Sequence, residues 1–452
     1  MRGHQSSVFD SELYSALFTQ PEMKAIWSDE NLIRCWLRFE SAVATVQAEL
    51  AIIPAQAATE ITAICNSVSL DWSRLAAETQ SVGMAIKPLI DQITDAGTPL
   101  VKKYLHWGCT TQDLLDSALA LRLKQTLQLL RRQLMQLGQH LKAMALTHRG
   151  TVMVARTNAV DASATTWGLQ VSSYLAEITR HLQRLDRLYP AATTGLYGGA
   201  VGNLASVGPQ GIAIRQKLMA ALGLQSPIGM MNASQDHVVE TVQFFALVHG
   251  TLCRIANDVE TLGRTPIAEL REGEGGGGSS TMPHKTNPRA SNMIQTLSRM
   301  GWTYASGATN LLDQQDVRAA SMRVLNWTWV PEAALTLSSS LERAIRLITH
   351  LVVDTEKMRA NFAASKNFIM SESLAMKLAE KIGRSAAYDL MKQVLKNADG
   401  SQDLLQCALG CPTFCEALTK EEMVMACDPA SYLGCNNALI DETITAFDSI
   451  RP

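Results

Sequence analysis

The sequence predicts an all-α protein built around a bundle of long helices. Apolar residues recur at helical spacing through most of the 452-residue chain, and we find neither a convincing run of alternating strand residues nor a repeat of fixed period. The longest helical stretch, residues 114–148, contains no proline and one glycine. At about 1.5 Å per residue this helix would be roughly 50 Å long, which is typical of a long-helix bundle.

The other helical segments follow in chain order. The first ends at Pro54. It carries a helical stripe of apolar residues at Leu32, Cys35, Trp36, Phe39, Val43 and Val46. After the 114–148 helix, a long helical pattern covers residues 235–262. A further one begins after Pro288, and Pro331 interrupts a helical pattern that continues beyond it.

Composition restricts the classes of function. A hydrophobic content of 47% is ample for a large core, while a net charge of -2 argues against a general nucleic-acid binder. No apolar run reaches membrane-spanning length, and the first residues lack the apolar segment of a secretory signal. Nine scattered cysteines suit a reducing cytoplasm better than a disulfide framework. We therefore expect a cytoplasmic protein without nucleic-acid or membrane partners.

The most informative stretch is residues 275–288, which read Gly-Gly-Gly-Gly-Ser-Ser-Thr-Met-Pro-His-Lys-Thr-Asn-Pro. Four glycines leave the backbone nearly unrestrained, which predicts a mobile loop. The hydroxyl of Ser279, the cation of Lys285 and the amide of Asn287 follow on this loop. Such a loop can close over a substrate and complete a site. The alternative is a plain linker, which would be expected to go on repeating glycine and serine.

This stretch resembles the signature Gly-Ser-Ser-x-Met-Pro-x-Lys-x-Asn-Pro of the fumarase/aspartase superfamily. Its Ser-Ser-Thr-Met-Pro-His-Lys form is similar to the adenylosuccinate lyase and 3-carboxy-cis,cis-muconate cycloisomerase branches. The resemblance covers essentially the whole chain. It implies an N-terminal helical domain (1–105), a central long-helix bundle domain with the signature loop (106–350) and a C-terminal helical domain (351–452). It also implies a homotetramer with a twenty-helix core, in which each active site is built from three subunits.

A second segment, residues 106–113, reads His-Trp-Gly-Cys-Thr-Thr-Gln-Asp and resembles the family pattern His-x-Gly-x-Thr-Ser-x-Asp. Thr110 and Thr111 directly precede the long helix. Free N–H groups and the helix dipole favour a carboxylate or phosphate at such a position. His106 could orient or stabilise that anion. The alternative is an ordinary helix cap beside a packed histidine.

Two further segments match the family with departures. Arg156, Thr157 and Asn158 stand where the lyase branches have Arg-Thr-His, and the histidine is commonly assigned as general acid. An amide cannot deliver a proton, so Asn158 is expected to bind a carboxylate, with Arg156 and Thr157 anchoring it. Arg318 and Trp327 keep the spacing of the cycloisomerase branch. Arg318 is a candidate to hold a carboxylate through two hydrogen bonds.

The resemblance implies a reaction that removes a proton from carbon next to a carboxylate through an aci-carboxylate intermediate. Ser279 is expected to act as an alkoxide base, with Lys285 stabilising its charge and His106 assisting. Substrate-binding roles go to the following residues: Thr110, Thr111, Arg156, Thr157, Asn158, Ser280, Met282, Asn287 and Arg318. No metal or cofactor is expected, since neither His237 with Glu240 nor the cysteines at 407, 411 and 415 provide enough ligands.

The expected substrate is a small polycarboxylate, and the expected activity is that of a 3-carboxy-cis,cis-muconate cycloisomerase. The apolar segment 84–90 is similar to that branch. A lyase that releases fumarate from a succinate derivative, as adenylosuccinate lyase does, is the alternative enzymatic interpretation. A non-catalytic structural protein on the same scaffold is the third, since several site segments have diverged.

Overall fold

The structure is a computed structural model that describes residues 6–273, 277–278, 280–398 and 400–451. Helices dominate the described residues, and short 3-10 turns connect some of them. In chain order the α-helices are α1 Ser15–Phe18, α2 Pro21–Ile26, α3 Asp29–Glu49, α4 Ala55–Ser67, α5 Trp72–Val82, α6 Ile86–Ala96, α7 Pro99–Tyr104, α8 Thr111–Thr147, α9 Trp167–Ala192, α10 Gly211–Leu222, α11 Asp236–Leu262, α12 Arg289–Ala308, α13 Ala320–His350, α14 Thr355–Ala364, α15 Ser371–Ile382, α16 Arg384–Asn397, α17 Leu404–Leu409, α18 Pro412–Ala417, α19 Lys420–Cys427 and α20 Asn436–Asp448.

Strands form three two-stranded antiparallel pairs within the described part of the chain. They are β1 Val152–Thr157 with β2 Val160–Thr166, β3 Leu270–Arg271 with β6 Val352–Val353, and β4 Gly277–Gly278 with β5 Thr286–Asn287. These pairs are small beside the helices, so the predicted all-α class is confirmed.

Local sequence explains where the helices begin and end. The Ser28 side chain accepts a hydrogen bond from the backbone N–H of Asn31 at 3.2 Å and caps α3. Thr419 and Glu422 form a reciprocal capping box at α19. Helix α5 ends at Gly83, whose φ of 75° is a left-handed conformation that glycine adopts without steric cost.

The long helices follow the predicted patterns closely. Helix α8 covers nearly all of the 114–148 stretch, and α11 and α12 lie where the later patterns place them. Helix α3 ends at Glu49, before Pro54. The expected interruption at Pro331 is not seen, because α13 is one helix that contains this proline. Val330 and Ala333 are buried beside it, and this packing stabilises the helix against the missing backbone N–H.

The absence of strands was the less accurate part of the prediction, because β1 and β2 form a hairpin. The two strands are joined by Asn158 and Ala159, whose φ values are 52° and 64°. Two left-handed residues in a two-residue loop match the twist of a hairpin, and asparagine is favoured at the first position. The hairpin places Asn158 at an exposed turn.

The chain forms two compact units. The first comprises Met1–Arg132, Gln183–His249 and Leu297–Ser340, and the second comprises Gln133–Leu182, Gly250–Thr296 and Leu341–Pro452. The core of the first unit is formed by buried residues such as Phe39, Ile61, Leu89 and Leu114. The core of the second unit is formed by residues such as Val154, Met370, Leu374, Leu378 and Phe414. The finer division into three domains stays a prediction.

Helix α11 is long and apolar enough to cross a membrane by length and composition, although no such helix was expected. Within its most apolar window, 67% of the residues are buried inside the protein. A helix buried to this extent is typical of a protein core. We therefore interpret α11 as a core helix.

Candidate active site

His106 is paired with a buried glutamate in the first unit. Its Nδ1 lies 2.5 Å from Oε1 of Glu40, which is a completely buried residue of α3. His106 has a φ of 60°, so the backbone between α7 and α8 is held in a left-handed conformation at this point. The second oxygen of Glu40 has no hydrogen-bond partner among the described residues. The contact to His106 is therefore the main compensation for this buried carboxylate.

This pairing changes the acidity of His106. Burial by itself would lower the pKa of the imidazole, but the charge and hydrogen bond of Glu40, together with Asp113, outweigh burial and raise the pKa above its ordinary value. A raised pKa favours the imidazolium form at neutral pH. His106 can therefore present positive charge to an anion near the start of α8.

Thr110 and Arg318 are brought together by the structure, although 208 residues separate them in sequence. The Arg318 guanidinium donates a hydrogen bond from Nη1 to the Thr110 hydroxyl at 3.2 Å. Thr111 is the first residue of α8, so the unpaired N–H groups of a helix start lie here as well. Arg318 is solvent-exposed. A cation beside a helix N-terminus is an arrangement that binds a carboxylate.

Asp113 fixes the backbone that carries these groups. It is fully buried, and its carboxylate accepts hydrogen bonds from the backbone N–H groups of Thr110 at 3.0 Å, Gly198 at 2.8 Å and Gly199 at 3.2 Å. Burial raises the pKa of Asp113 to about 6, while the three N–H donors oppose that rise. Asp113 therefore connects the start of α8 to the 198–199 turn.

A further ion pair involves Asp116, a half-buried residue between one and two turns into the same helix. Asp116 forms an ion pair with Arg323 at 3.4 Å, and Arg323 also donates to the backbone carbonyl of Asn232 at 2.9 Å. Gln112 donates to Asp116 at 3.1 Å. These contacts join α8, α13 and the segment before α11 within the first unit.

Arg156 lies on β1 of the second unit, and two carboxylates occupy its guanidinium. It forms two parallel hydrogen bonds, of 2.9 and 2.8 Å, with the completely buried Glu269, and Nε donates to Asp161 at 3.1 Å. Asn361 also donates to Glu269 at 2.8 Å. Arg156 thus stiffens the base of the hairpin whose exposed end carries Thr157 and Asn158.

The signature loop is described in part. Ser279, the expected base, lies outside the described residues. Ser280, Met282 and Lys285 are exposed, and the Lys285 backbone N–H donates to the Met282 carbonyl at 3.0 Å in a tight turn. The pairing of β4 with β5 places Asn287 opposite Gly277.

Two contacts shape the ends of this loop. A Cβ at Gly277 would lie 1.5 Å from Nε of Arg289, so a larger side chain would displace that arginine. The Glu272 carboxylate accepts hydrogen bonds from the backbone N–H groups of Ala290 and Ser291 at 3.1 and 2.9 Å. An acidic residue at the start of α12 is favourable to the helix dipole.

The expected site residues are thus distributed between the two units. The first unit contains four of them, His106, Thr110, Thr111 and Arg318. The sequence predicted that Arg318 and Thr110 both bind carboxylates, and the structure shows that they are in contact. The second unit contains two further groups of expected residues, namely Arg156, Thr157 and Asn158, and Ser280, Met282, Lys285 and Asn287. No group of three or more residues suited to metal binding is found within the described ranges.

Sequence reasoning missed Glu40 and Glu269 as partners of site residues. Glu40 carries a usable signal, since it is a charged residue on the stripe of α3 that also contains Trp36, Phe39 and Val43, all of them buried. A charge on a buried helix face is usually paired. No comparable pattern surrounds Glu269, whose partner Arg156 lies 113 residues away.

Comparison with known proteins relates the whole chain to one group of enzymes. Residues 16–300 match a family model described as lyase, and residues 367–443 match one described as adenylosuccinate lyase C-terminus. Trans-aconitate decarboxylase 1 of Mycosarcoma maydis is 33% identical, over 95% of this chain and 88% of that protein. The 3-carboxy-cis,cis-muconate cycloisomerase of Pseudomonas aeruginosa is 32% identical, over 97% of both chains.

A solved structure extends this similarity to the fold. The 3-carboxy-cis,cis-muconate lactonizing enzyme from Pseudomonas putida is 28% identical and superposes with a TM-score of 0.90. The alignment covers 97% of this chain and 100% of that one. The similarity therefore includes both the long helices and the segments that carry the candidate site.

Proposed function

This chain belongs to the lyase family of the fumarase/aspartase superfamily, and we propose that it interconverts an unsaturated tricarboxylate with its lactone, as 3-carboxy-cis,cis-muconate cycloisomerase does. The chain is an enzyme of the lyase family. The observation that carries the proposal is the contact of Arg318 with Thr110 at the start of α8. This contact supports the binding of a substrate carboxylate at the start of α8.

The proposed step is balanced within one molecule of substrate. In the direction of ring opening, the Ser279 alkoxide takes a proton from the carbon next to a carboxylate, and the electron pair moves into an aci-carboxylate. This pair then re-forms a carbon–carbon double bond while the bond from the adjacent carbon to the lactone oxygen breaks, releasing a carboxylate. Ring closure reverses these steps, and the Ser279 hydroxyl returns the proton.

The remaining residues stabilise charge in this scheme. Lys285 and Asn287 bind the carboxylate whose charge grows, and Ser280 and Met282 of the same loop contact the substrate. Arg318, Thr110, Thr111 and the imidazolium of His106 hold the other carboxylates. Arg156 anchors the hairpin through Glu269, so that Thr157 and Asn158 can face the substrate.

Asn158 favours ring opening over release of an amine. An amide does not supply a proton, and an amine leaving group would require one. A carboxylate leaves as a stable anion, so the cycloisomerase reaction needs no acid at this position.

A second candidate reaction is decarboxylation of an unsaturated tricarboxylate. The similarity to the trans-aconitate decarboxylase of Mycosarcoma maydis favours it. Carbon dioxide also leaves without a proton, and the electron pair left on carbon takes up a proton from the Ser279 hydroxyl, which regains its proton from water. Asn158 is therefore compatible with both reactions.

We also propose a homotetramer in the cytoplasm, with each active site built from three subunits and with no nucleic-acid or membrane partner. All nine cysteines are free, which agrees with a reducing compartment. Light scattering after size-exclusion chromatography tests the assembly, and a molar mass of one or two chains would contradict the composite site.

A panel of three substrates tests the reaction. Purified wild-type protein is incubated with 3-carboxy-cis,cis-muconate followed by ultraviolet absorbance, with trans-aconitate followed by proton NMR, and with adenylosuccinate followed by fumarate release. We expect turnover of 3-carboxy-cis,cis-muconate. Turnover of trans-aconitate alone would establish the second candidate, and fumarate release alone would contradict both. Inactivity on all three would favour a non-catalytic scaffold.

A further inference from the structure

A cavity of about 310 Å³ lies in the first unit, between residues of α3, α8 and α13. Among its described lining residues are the indoles of Trp27, Trp36 and Trp327 and the guanidinium-bearing Arg122. None of the described residues assigned above to catalysis or substrate binding lines it. Its volume is at the lower end of the range of small-molecule sites, about 300–1,000 Å³.

Arg122 is a buried cation that the described residues leave without an ion pair. It is 9% exposed, and its Nε has no hydrogen-bond partner within the described part of the chain. The guanidinium carbon lies 4.5 Å from the centre of the Trp27 ring, whose N–H is anchored on the Thr126 hydroxyl at 3.1 Å. Burial lowers the pKa of Arg122 to about 10. A buried charge without a partner is costly, and proteins normally satisfy it.

Trp36 lines the same cavity with its indole ring, while its N–H group is enclosed. It is 3% exposed, and its indole N–H has no acceptor among the residues that the structure describes. A guanidinium offers only donors, so the group that would satisfy Arg122 is an acceptor. A carboxylate accepts from the guanidinium and also compensates its charge.

The acidic residues of the cavity do not supply that acceptor. Asp116 is paired with Arg323 at 3.4 Å, so its charge is already compensated. Asp29 lies exposed at the start of α3, and its charge favours the charged form of Arg122 without forming an ion pair with it among the described residues. Arg122 is therefore the cation of this cavity that has no ion-pair partner within the described part of the chain.

The walls determine the shape of the ligand. Asp116 and Arg122 both line the cavity and are six residues apart on α8, which corresponds to about 9 Å along the helix. Leu115 and Leu119 line the cavity as well, together with the indole rings of Trp27, Trp36 and Trp327. We propose that this cavity binds a small carboxylate with a flat apolar body, such as an aromatic monocarboxylate, through the guanidinium of Arg122. This site is separate from the proposed reaction and does not depend on it.

Isothermal titration calorimetry of the full-length protein tests the proposal, with benzoate and its uncharged isostere benzamide as probes. We expect benzoate to bind the wild type at least roughly tenfold more tightly than benzamide, because a charge-assisted hydrogen bond is lost in the amide. Arg122→Met should weaken benzoate binding to a similar extent and leave benzamide unchanged. Arg34→Met, which removes an exposed arginine of α3, is the matched control and should bind benzoate as the wild type does.

A further variant separates this site from the proposed catalytic site, which also binds carboxylates. Arg318→Met should keep the wild-type affinity for benzoate. Loss of benzoate binding in Arg318→Met but not in Arg122→Met would place benzoate at the catalytic site and overturn the proposal. Equal affinity of the wild type for benzoate and benzamide, or no benzoate binding at millimolar concentrations, would overturn it without any variant.

Discussion

Glu40→Gln is the substitution that examines the candidate site most selectively. Glutamine keeps the shape of the side chain and an acceptor oxygen for His106. It removes the charge and replaces the second oxygen, which has no partner among the described residues, with an amide NH2 group. In the wild type, Glu40 is completely buried and its Oε1 lies 2.5 Å from the imidazole. The variant should therefore fold, while His106 loses the carboxylate that favours its imidazolium form.

The magnitude follows from the strength of the two kinds of hydrogen bond. A bond to a charged group stabilises by about 1.5–3 kcal/mol and a neutral one by about 0.5–1.5 kcal/mol. The difference is about 1–1.5 kcal/mol, so the ratio of protonated to neutral His106 should fall roughly five- to tenfold in the variant at a given pH.

The same pair makes stability depend on pH. Since the pKa of His106 is raised in the folded protein, its stabilising contribution is fully present below the ordinary histidine pKa of 6.5. That contribution is lost as the pH rises through the raised value. Glu40→Gln should remove this loss, which urea unfolding at several pH values measures.

Proton–carbon NMR of the histidine rings follows the titration directly, with His106 assigned from a His106→Gln variant. Glu49→Gln is the control, because Glu49 pairs with Lys217 at 2.9 Å on the exposed surface. We expect the His106 signal to titrate at lower pH in Glu40→Gln and at the wild-type pH in Glu49→Gln. An unchanged titration in Glu40→Gln would refute the argument that Glu40 controls the charge of His106.

Four further substitutions probe other parts of the account. Asp113→Asn sets an amide N–H against backbone donors and should lower the free energy of unfolding in urea by about 1–3 kcal/mol. The wild type loses stability as the pH rises from about 4 through the Asp113 pKa of about 6, and the variant should not show this loss. An unchanged pH dependence would contradict this argument. Ala159→Gly should raise stability by about 0.5–1 kcal/mol, seen as a higher Tm, because a left-handed φ suits glycine; a lower Tm would contradict the strain. Gly138→Ala should destabilise the folded protein by about 1–3 kcal/mol through overpacking, because the new Cβ would lie 2.3 Å from the Phe447 ring. An unchanged Tm would show that the ring moves freely. Arg318→Lys should raise KM for the tricarboxylate roughly tenfold and change kcat less, because the planar two-donor fork is lost; an unchanged KM would remove Arg318 from substrate binding.

The helices were predictable because their sequence patterns are long and local. Helix α8 has a continuous leucine stripe without proline, and its observed bounds, Thr111–Thr147, differ from the expected ones by only a few residues. The hairpin was missed because its turn is Asn-Ala rather than Asn-Gly and because β2 is rich in small and polar residues. Asn158 between two strand-like runs was the available signal.

The candidate site was predictable only in part, for a different reason. Residues in motifs could be named, but a contact such as Arg318 with Thr110 depends on how distant helices pack. Glu40 could have been inferred from its place on the apolar stripe of α3, whereas Glu269 lies in no motif and its burial is revealed only after the chain is folded. Pro331 shows the same dependence, because tertiary packing allows α13 to continue through a residue that disfavours a helix.

The most direct test of the central claim is the rate of 3-carboxy-cis,cis-muconate consumption by the wild type, Ser279→Ala and Ser67→Ala, followed by ultraviolet absorbance. Ser67 is an exposed serine of α4 and serves as the control. The account predicts turnover by the wild type and by Ser67→Ala, and a rate lower by roughly 10²–10⁴-fold in Ser279→Ala, as expected for loss of a catalytic base. Equal rates in the wild type and Ser279→Ala would contradict proton removal by Ser279.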